Sequence, residues 1–197
     1  MAPAGFHILH VHRPSVTGGP TRGGGLAVIH RNNIKVSTHA LSASLHPKTF
    51  ELQIVKIIVP SPLVLLNVYK LDGSIPAFLD ELADVVSFVC ASCTDRVLIA
   101  GDFNCPGVTP TTVGERLDDI LDSFCLTQHV NQPTRINNLL DIIATDANLP
   151  VSDVVVDDAG NVSDHRLVTC KLTVNRPSSP AVPFQYRCIN STDISSF

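Results

Sequence analysis

The hydrophobic pattern of this chain changes period near residue 76, and that change restricts the folds open to it. Residues 50–59 and 63–69 are Ile- and Val-rich runs separated by Pro60-Ser61-Pro62, which reads as two strands and a turn. From Pro76 to Cys90 the apolar residues Phe78, Leu79, Leu82, Val85, Val86 and Val89 recur at intervals of three and four instead. That spacing predicts an amphipathic helix, with Ser74 as its N-cap and Pro76 in its first turn. A short continuous apolar strand follows at residues 96–100, then a second helical pattern over 112–125. Residues 139–145, 151–156 and 167–174 return to strand. Upstream, residues 26–30 and 34–39 read as strands joined by a turn at Arg31-Asn32-Asn33, which makes 23–69 an antiparallel meander. The order of elements fits an α/β sandwich of two packed sheets with helices outside. One domain spans 1–175, and the Pro-, Ser- and Arg-containing segment 176–197 reads as a linker-like tail.

Composition narrows the class. With 44% hydrophobic and 16% charged residues, the 197-residue chain carries enough apolar surface for a core. No apolar run reaches the roughly 18 to 20 residues of a membrane helix. The N-terminus lacks the plan of a signal peptide, so a nuclear or cytoplasmic setting is expected, with no membrane partner. The six cysteines are scattered and Cys90/Cys93 is a lone CxxC, so they read as small buried hydrophobes. His7, His10 and His12 alternate with Phe6, Ile8 and Val11 as polar positions of a strand. Gly23-Gly24-Gly25 has no lysine and Ser/Thr pair behind it, which disfavours a P-loop. The net charge is −4, yet the first fifty residues contain no Asp or Glu and carry Arg13, Arg22, Arg31, Lys35 and Lys48. A basic N-terminal part beside an acid-rich remainder suits a protein that holds a polyanion near a divalent cation.

Three strand ends carry the chemistry. Leu98-Ile99-Ala100-Gly101-Asp102-Phe103-Asn104 delivers a carboxylate and a carboxamide two residues apart, which in extended geometry point the same way. Asp102 is suited to an attacking water and Asn104 to a phosphate oxygen; an Asx turn is the other reading. In Leu139-Leu140-Asp141-Ile142-Ile143 a lone carboxylate sits in an apolar strand and needs an imidazole or a cation as partner. Ser163-Asp164-His165 opens the last strand with a group that exchanges protons near neutral pH.

Gly101-Asp102-Phe103-Asn104, Asp141 and Ser163-Asp164-His165, in this order, resemble the endonuclease/exonuclease/phosphatase superfamily, and within it the endonuclease domain of non-LTR (LINE-type) retrotransposon polyproteins. Arg22-Gly23-Gly24-Gly25-Leu26-Ala27-Val28, Leu66-Asn67-Val68-Tyr69 and Gln132-Pro133-Thr134 extend the resemblance from about Gly5 to Val174. It implies a DNase I-like two-sheet sandwich and Mg²⁺-dependent cleavage of phosphodiester bonds in DNA. It also implies roles: His165 at the scissile phosphate, oriented by Asp141; Asp102 activating water; Asn104 orienting substrate or water. Asp164 matches a carboxylate beside the metal, and Tyr69, Thr134 and Ser163 match substrate contacts. The tail resembles the linker that leads to a reverse transcriptase, a domain this sequence does not contain.

The family begins with a strand bearing asparagine and a second ending in a metal-binding glutamate, and nothing in residues 1–50 matches either. The expectation is a domain lacking its first strands, with Mg²⁺ held weakly. Two other readings stay open: an inactive remnant that binds nucleic acid, and a superfamily phosphatase acting on small phosphoesters.

Overall fold

The computed structural model describes residues 2–13, 24–39, 41, 45–59, 62–93, 96–158, 160 and 163–174. The tail 176–197, Arg22, Gly23, the Pro60-Ser61 turn and Cys188 fall outside them. In chain order the elements are β1 (Phe6–Val11), β2 (Leu26–Arg31), β3 (Lys35–Thr38), β4 (Phe50–Ile58), β5 (Leu63–Lys70), α1 (Ile75–Ser92), β6 (Arg96–Asp102), α2 (Glu115–Ser123), β7 (Leu126–Gln128), β8 (Asp141–Asp146), β9 (Val151–Asp157) and β10 (Leu167–Leu172).

A six-stranded sheet in the order β3-β4-β5-β6-β8-β7 forms the frame. All its pairs are antiparallel except β5 with β6. A parallel pair needs a crossover, and α1 supplies it. The Ser74 hydroxyl accepts the Ala77 N–H at 3.3 Å, and Phe78, Leu79, Leu82, Val85, Val86 and Val89 are all buried, as their spacing predicts. They pack on the sheet face formed by Val64, Leu66, Val68, Val97 and Ile99, together with Leu117 and Leu121 of α2. Phe78 stands edge-on to Phe50 at 5.3 Å and to Phe103 at 5.8 Å, so this core reaches directly beneath the Asp102–Asn104 turn.

The opposite face of the sheet is covered in two places. The ribbon β9–β10 lies over one part, where Leu172 packs with Leu63, Leu98 and Leu149. The ribbon β1–β2 lies over β4, where the Gln53 side-chain amide donates to the Leu9 carbonyl at 3.0 Å. The second layer is thus two two-stranded ribbons, with no hydrogen-bonded ladder joining them among the described residues. The expected meander is corrected on this point. β2 pairs with β1, not with β3, because the Asn32 N–H is taken by the Gly5 carbonyl at 3.1 Å and the chain passes to the other sheet at the Asn32–Asn33 turn.

Helix α2 is shorter than its sequence pattern, and β7 is an edge strand too short to be read beforehand. Cys105 is buried, and burial pushes its thiol up to about 11, as an inert core cysteine requires. Cys125 departs from expectation: it is exposed, at a positive φ of 55° in the turn after α2. No helix among the described residues is long and apolar enough to cross a membrane.

Glu81 on α1 fastens the loop ahead of β4. Its Oε2 accepts the Lys48 N–H at 2.8 Å, the Thr49 N–H at 2.9 Å and the Thr49 hydroxyl at 2.7 Å. Burial works to raise this carboxyl, but the Thr49 and Lys48 bonds outweigh it and hold the group below its ordinary value. A depressed carboxyl stabilises the fold above its unfolded pKa, and that contribution is lost as the pH falls through the folded value. Glu81→Ala is therefore expected to cost about 1 kcal/mol near neutrality, the low end for charged hydrogen bonds because the group is partly solvated. Urea titrations should show the difference from wild type shrinking as the pH falls below the ordinary glutamate range. A difference that persists unchanged in acid would contradict it.

Candidate active site

The candidate residues converge where β6 and β8 end side by side. Asp102 and Asp141 face each other across the antiparallel pair, and Tyr69 of β5 and Glu51 of β4 continue the same row on the same face. Strand β6 stops at Asp102 because the next residue turns into the core: Phe103 is 0% exposed and its N–H donates to the Leu140 carbonyl at 2.8 Å. Asn104 then adopts a left-handed conformation (φ 45°), and its N–H donates to Asp102 Oδ1 at 3.1 Å. The extended geometry expected for Asp102 and Asn104 is therefore replaced by an Asx turn. It leaves Asn104 half-buried beside the cluster.

His165 reaches this row from the loop before β10. The Ser163 hydroxyl accepts the His165 N–H at 3.0 Å, and the Arg166 N–H donates to the Thr134 carbonyl at 2.6 Å. Arg135 and His165 form an isolated bridge. So anchored, the imidazole places Nδ1 2.7 Å from Asp141 Oδ2 and Nε2 3.8 Å from Asp102 Oδ2. Donor atoms of Asp102, Asp141 and His165 all lie within 4.8 Å of one another. The bond to Asp141 assigns the proton to Nδ1 and leaves Nε2 as the exchanging nitrogen.

Three of the sequence-assigned residues have partners within the protein. Thr134 does not face a ligand: it is 0% exposed, and its hydroxyl accepts the N–H groups of Leu140 and Asp141, each at 3.0 Å. It fixes the backbone that carries Asp141. Asp164 stands outside the cluster: its carboxylate pairs with Arg135 at 2.6 Å, a cation that holds it below the ordinary carboxylate range. The Ser163 hydroxyl is exposed and accepts the backbone N–H of His165 in the turn that presents the ring. Tyr69 remains in the row, with the Arg13 guanidinium 5.7 Å from its ring centroid, and Arg13 itself pairs with Glu51. Sequence reasoning missed Arg135 and Glu51, and named Arg13 only as one of five basic residues in the first fifty. The only signal for Arg135 was its place directly after Thr134.

Thr134→Val removes the shared acceptor and strands two buried N–H groups. The expected cost is about 1–3 kcal/mol, with Thr134→Ser close to wild type. Urea denaturation of the three proteins measures this, and equal stability of the valine and serine variants would refute it.

Burial raises the Asp102 carboxyl above its ordinary range, the neighbouring Asp141 charge raises it further, and His165, the Asn104 N–H and Arg135 pull the other way. Two carboxylates facing each other half-buried form a site that a cation relieves. Mg²⁺ takes one or two carboxylates and keeps several waters, so this oxygen-rich, thiol-free donor set fits it, with Asp102 and Asp141 as the holding residues.

The backbone arrangement has counterparts among solved structures. The endonuclease domain of TRAS1, a telomere-specific non-LTR retrotransposon, superposes with a TM-score of 0.62 at 15% identity, over 86% of this chain and 81% of that one. The human Nocturnin catalytic domain gives 0.57 at 15% identity over 86% and 73%, and an endonuclease/exonuclease/phosphatase family protein from Bacteroides thetaiotaomicron gives 0.56 at 14% identity over 86% and 73%. The fold is that of the endonuclease/exonuclease/phosphatase proteins. By sequence the chain matches no family model and no curated protein. Within the endonuclease/exonuclease/phosphatase fold, the Asp102–Asp141–His165 cluster sits where the loops at one end of the sheet meet the β9–β10 ribbon, a place where functional groups gather on a rigid frame.

Proposed function

We propose that this chain is a Mg²⁺-assisted phosphodiesterase that nicks DNA. The observation that carries the reading is the His165 imidazole held by Asp141 through Nδ1 with Nε2 directed toward Asp102. Asp141 fixes the ring orientation. Nε2 exchanges a proton with the water or the oxygen at phosphorus, and Asp102 accepts from the attacking water. Asn104 and Tyr69, beside Asp102, are the donors closest to hand for a phosphate that gains charge in the transition state. A bound Mg²⁺ supplies further positive charge against that phosphate. With two carboxylates as its only acidic protein donors among the described residues, the ion is held weakly, and activity should need millimolar-range metal.

Nucleic acid is favoured over small phosphoesters by the arginines around the cluster. Arg135 and Arg166 adjoin His165 and Arg13 stands over the Tyr69 ring, cationic groups spread wider than one phosphate, with Arg135 and Arg13 shared with Asp164 and Glu51. The likeness in fold to a retrotransposon endonuclease points the same way. The test is nicking of supercoiled plasmid across a Mg²⁺ and Mn²⁺ series, beside a panel of inositol phosphates. Plasmid that stays supercoiled throughout would overturn the proposal, and turnover confined to the inositol phosphates would favour a phosphatase.

A further inference from the structure

The ribbon β1–β2 brings together a second pair of imidazoles. Its strands pair antiparallel with His7 directly opposite His30 and Leu9 opposite Val28. Residues opposite one another lie on the same face, and successive residues alternate between faces. His7 and His30 therefore share the more covered face, where Leu26 is buried and Leu9 and Val28 are half-buried. Ile8 and Ile29 fill the outer face, 44% and 55% exposed. The partner of His7 is thus neither His10 nor His12, its neighbours in the sequence, but a residue on the adjacent strand.

The two rings are set for a shared ligand. Their centres are 5.7 Å apart, with planes tilted by 32°. Two imidazoles on one tetrahedral ion, each bonded at about 2.0–2.1 Å, have centres about 5 Å apart. Turning the exposed His7 ring covers that difference. The tautomer of His30 is set as well. Its Nδ1 lies 3.0 Å from the Arg31 carbonyl, which can only accept, so Nδ1 carries the proton and Nε2 keeps its lone pair. Metal-bound histidines hold their second nitrogen on a backbone carbonyl in this way, which orients the ring and raises its basicity as a ligand.

Position gives such an ion work to do. The chain joins β1 to β2 at the Val11–Leu26 end, and His7–His30 is one pair in from the opposite, open end. The ribbon has no third strand among the described residues. Two-stranded ribbons hold only with outside support, and a metal ion is one way that small units obtain it. An ion between His7 and His30 fastens the end at which the strands would otherwise part.

We infer that His7 and His30 bind a divalent transition ion of the zinc and copper type, which cross-links β1 to β2. The donors are two neutral imidazoles, which suit Zn²⁺ and Cu²⁺ and not Mg²⁺. Among the described residues no third His, Cys, Asp or Glu completes the set, so water fills the remaining positions. The site shares no residue with the Asp102–Asp141–His165 cluster and does not depend on the phosphodiesterase reading.

The experiment titrates the full chain with Zn²⁺ by calorimetry, with Mg²⁺ in excess to occupy the carboxylates, and reads substoichiometric Cu²⁺ by electron paramagnetic resonance. The expected result is binding of a single Zn²⁺ and a copper spectrum split by two nitrogens. His7→Ala, at an exposed position, should weaken Zn²⁺ binding by about 10²-fold and leave one nitrogen in the spectrum, because the second ligand on the same frame is lost. His30→Ala should do the same. His10→Ala/His12→Ala removes another ring pair, 4.1 Å apart and edge-on, and should keep the ion. His165→Ala should keep it too. Zn²⁺ should raise the urea midpoint of wild type and not that of His7→Ala. Absence of Zn²⁺ binding by wild type overturns the assignment. Unchanged affinity in His7→Ala overturns it as well, and so does loss of the ion in His165→Ala, which would place it in the Asp102–Asp141–His165 cluster.

Discussion

His165→Ala is expected to lower DNA nicking by at least about 10²- to 10⁴-fold, the usual worth of one positioned acid–base group. The residue is singled out because it alone bridges the two carboxylates, through Nδ1 to Asp141 and Nε2 toward Asp102. Asp102→Asn should show a loss of similar size with a telling difference in stability. Burial and the Asp141 charge raise the Asp102 carboxyl, so the folded state favours its protonated form. Ionising it costs stability once the pH rises above the ordinary aspartate range. The asparagine can still accept the Asn104 N–H while removing that charge. In EDTA near neutral pH, the Asp102→Asn protein should therefore melt above wild type although it no longer cuts, as expected for a group kept for chemistry at some expense to the fold. Single-turnover plasmid assays and thermal melts on the same preparations check both halves. Full activity in the His165→Ala protein would remove the basis of the mechanism, and a lower melting temperature for Asp102→Asn would contradict the electrostatic account.

Gly101→Ala is expected to prevent folding. Gly101 has φ of 142°, and a Cβ built there would lie 1.9 Å from the Val68 carbonyl oxygen and 2.8 Å from its carbon. The atoms in the way are backbone of the adjacent strand β5, so no side chain can swing aside. Relief requires parting β5 from β6 at the centre of the sheet. The cost should exceed about 4 kcal/mol, a large share of the 5–15 kcal/mol that holds a typical domain together. Circular dichroism and urea titration of the variant measure this. A midpoint equal to wild type would show that the strand pair yields more easily than its packing implies.

The parts of this fold that could be read in the sequence are those set by local pattern. Helix α1 was legible because six apolar residues recur on one stripe behind a serine cap, and β4, β5 and β6 because long Ile- and Val-rich runs have few other uses. The pairing of β2 was not legible, since the same Arg31-Asn32-Asn33 turn serves equally for a hairpin or for a step between layers, and Gly5 decides between them from 27 residues away. The grouping of Asp102, Asp141 and His165 was legible from the strand ends that bear them. The work of Thr134 was not: a threonine hydroxyl facing solvent and one buried against two N–H groups look alike in a sequence. The pairing of Asp164 with Arg135 was not legible either, because the two lie 29 residues apart and meet only through tertiary packing.

The two halves of the Asp102–Asp141–His165 cluster are mounted on unequal supports. Asp102 and Asp141 sit on interior strands of the large sheet, whereas His165 sits ahead of a two-stranded ribbon and is tied back through Thr134 and Arg135. A two-stranded ribbon depends on its packing against the sheet, and local opening draws on the least supported units first. Warming should therefore swing the imidazole off its carboxylates in a sub-global opening while the large sheet keeps its slow amide exchange. Nicking is therefore expected to stop at a lower temperature than the one at which the large sheet unfolds, through opening of the β9–β10 ribbon.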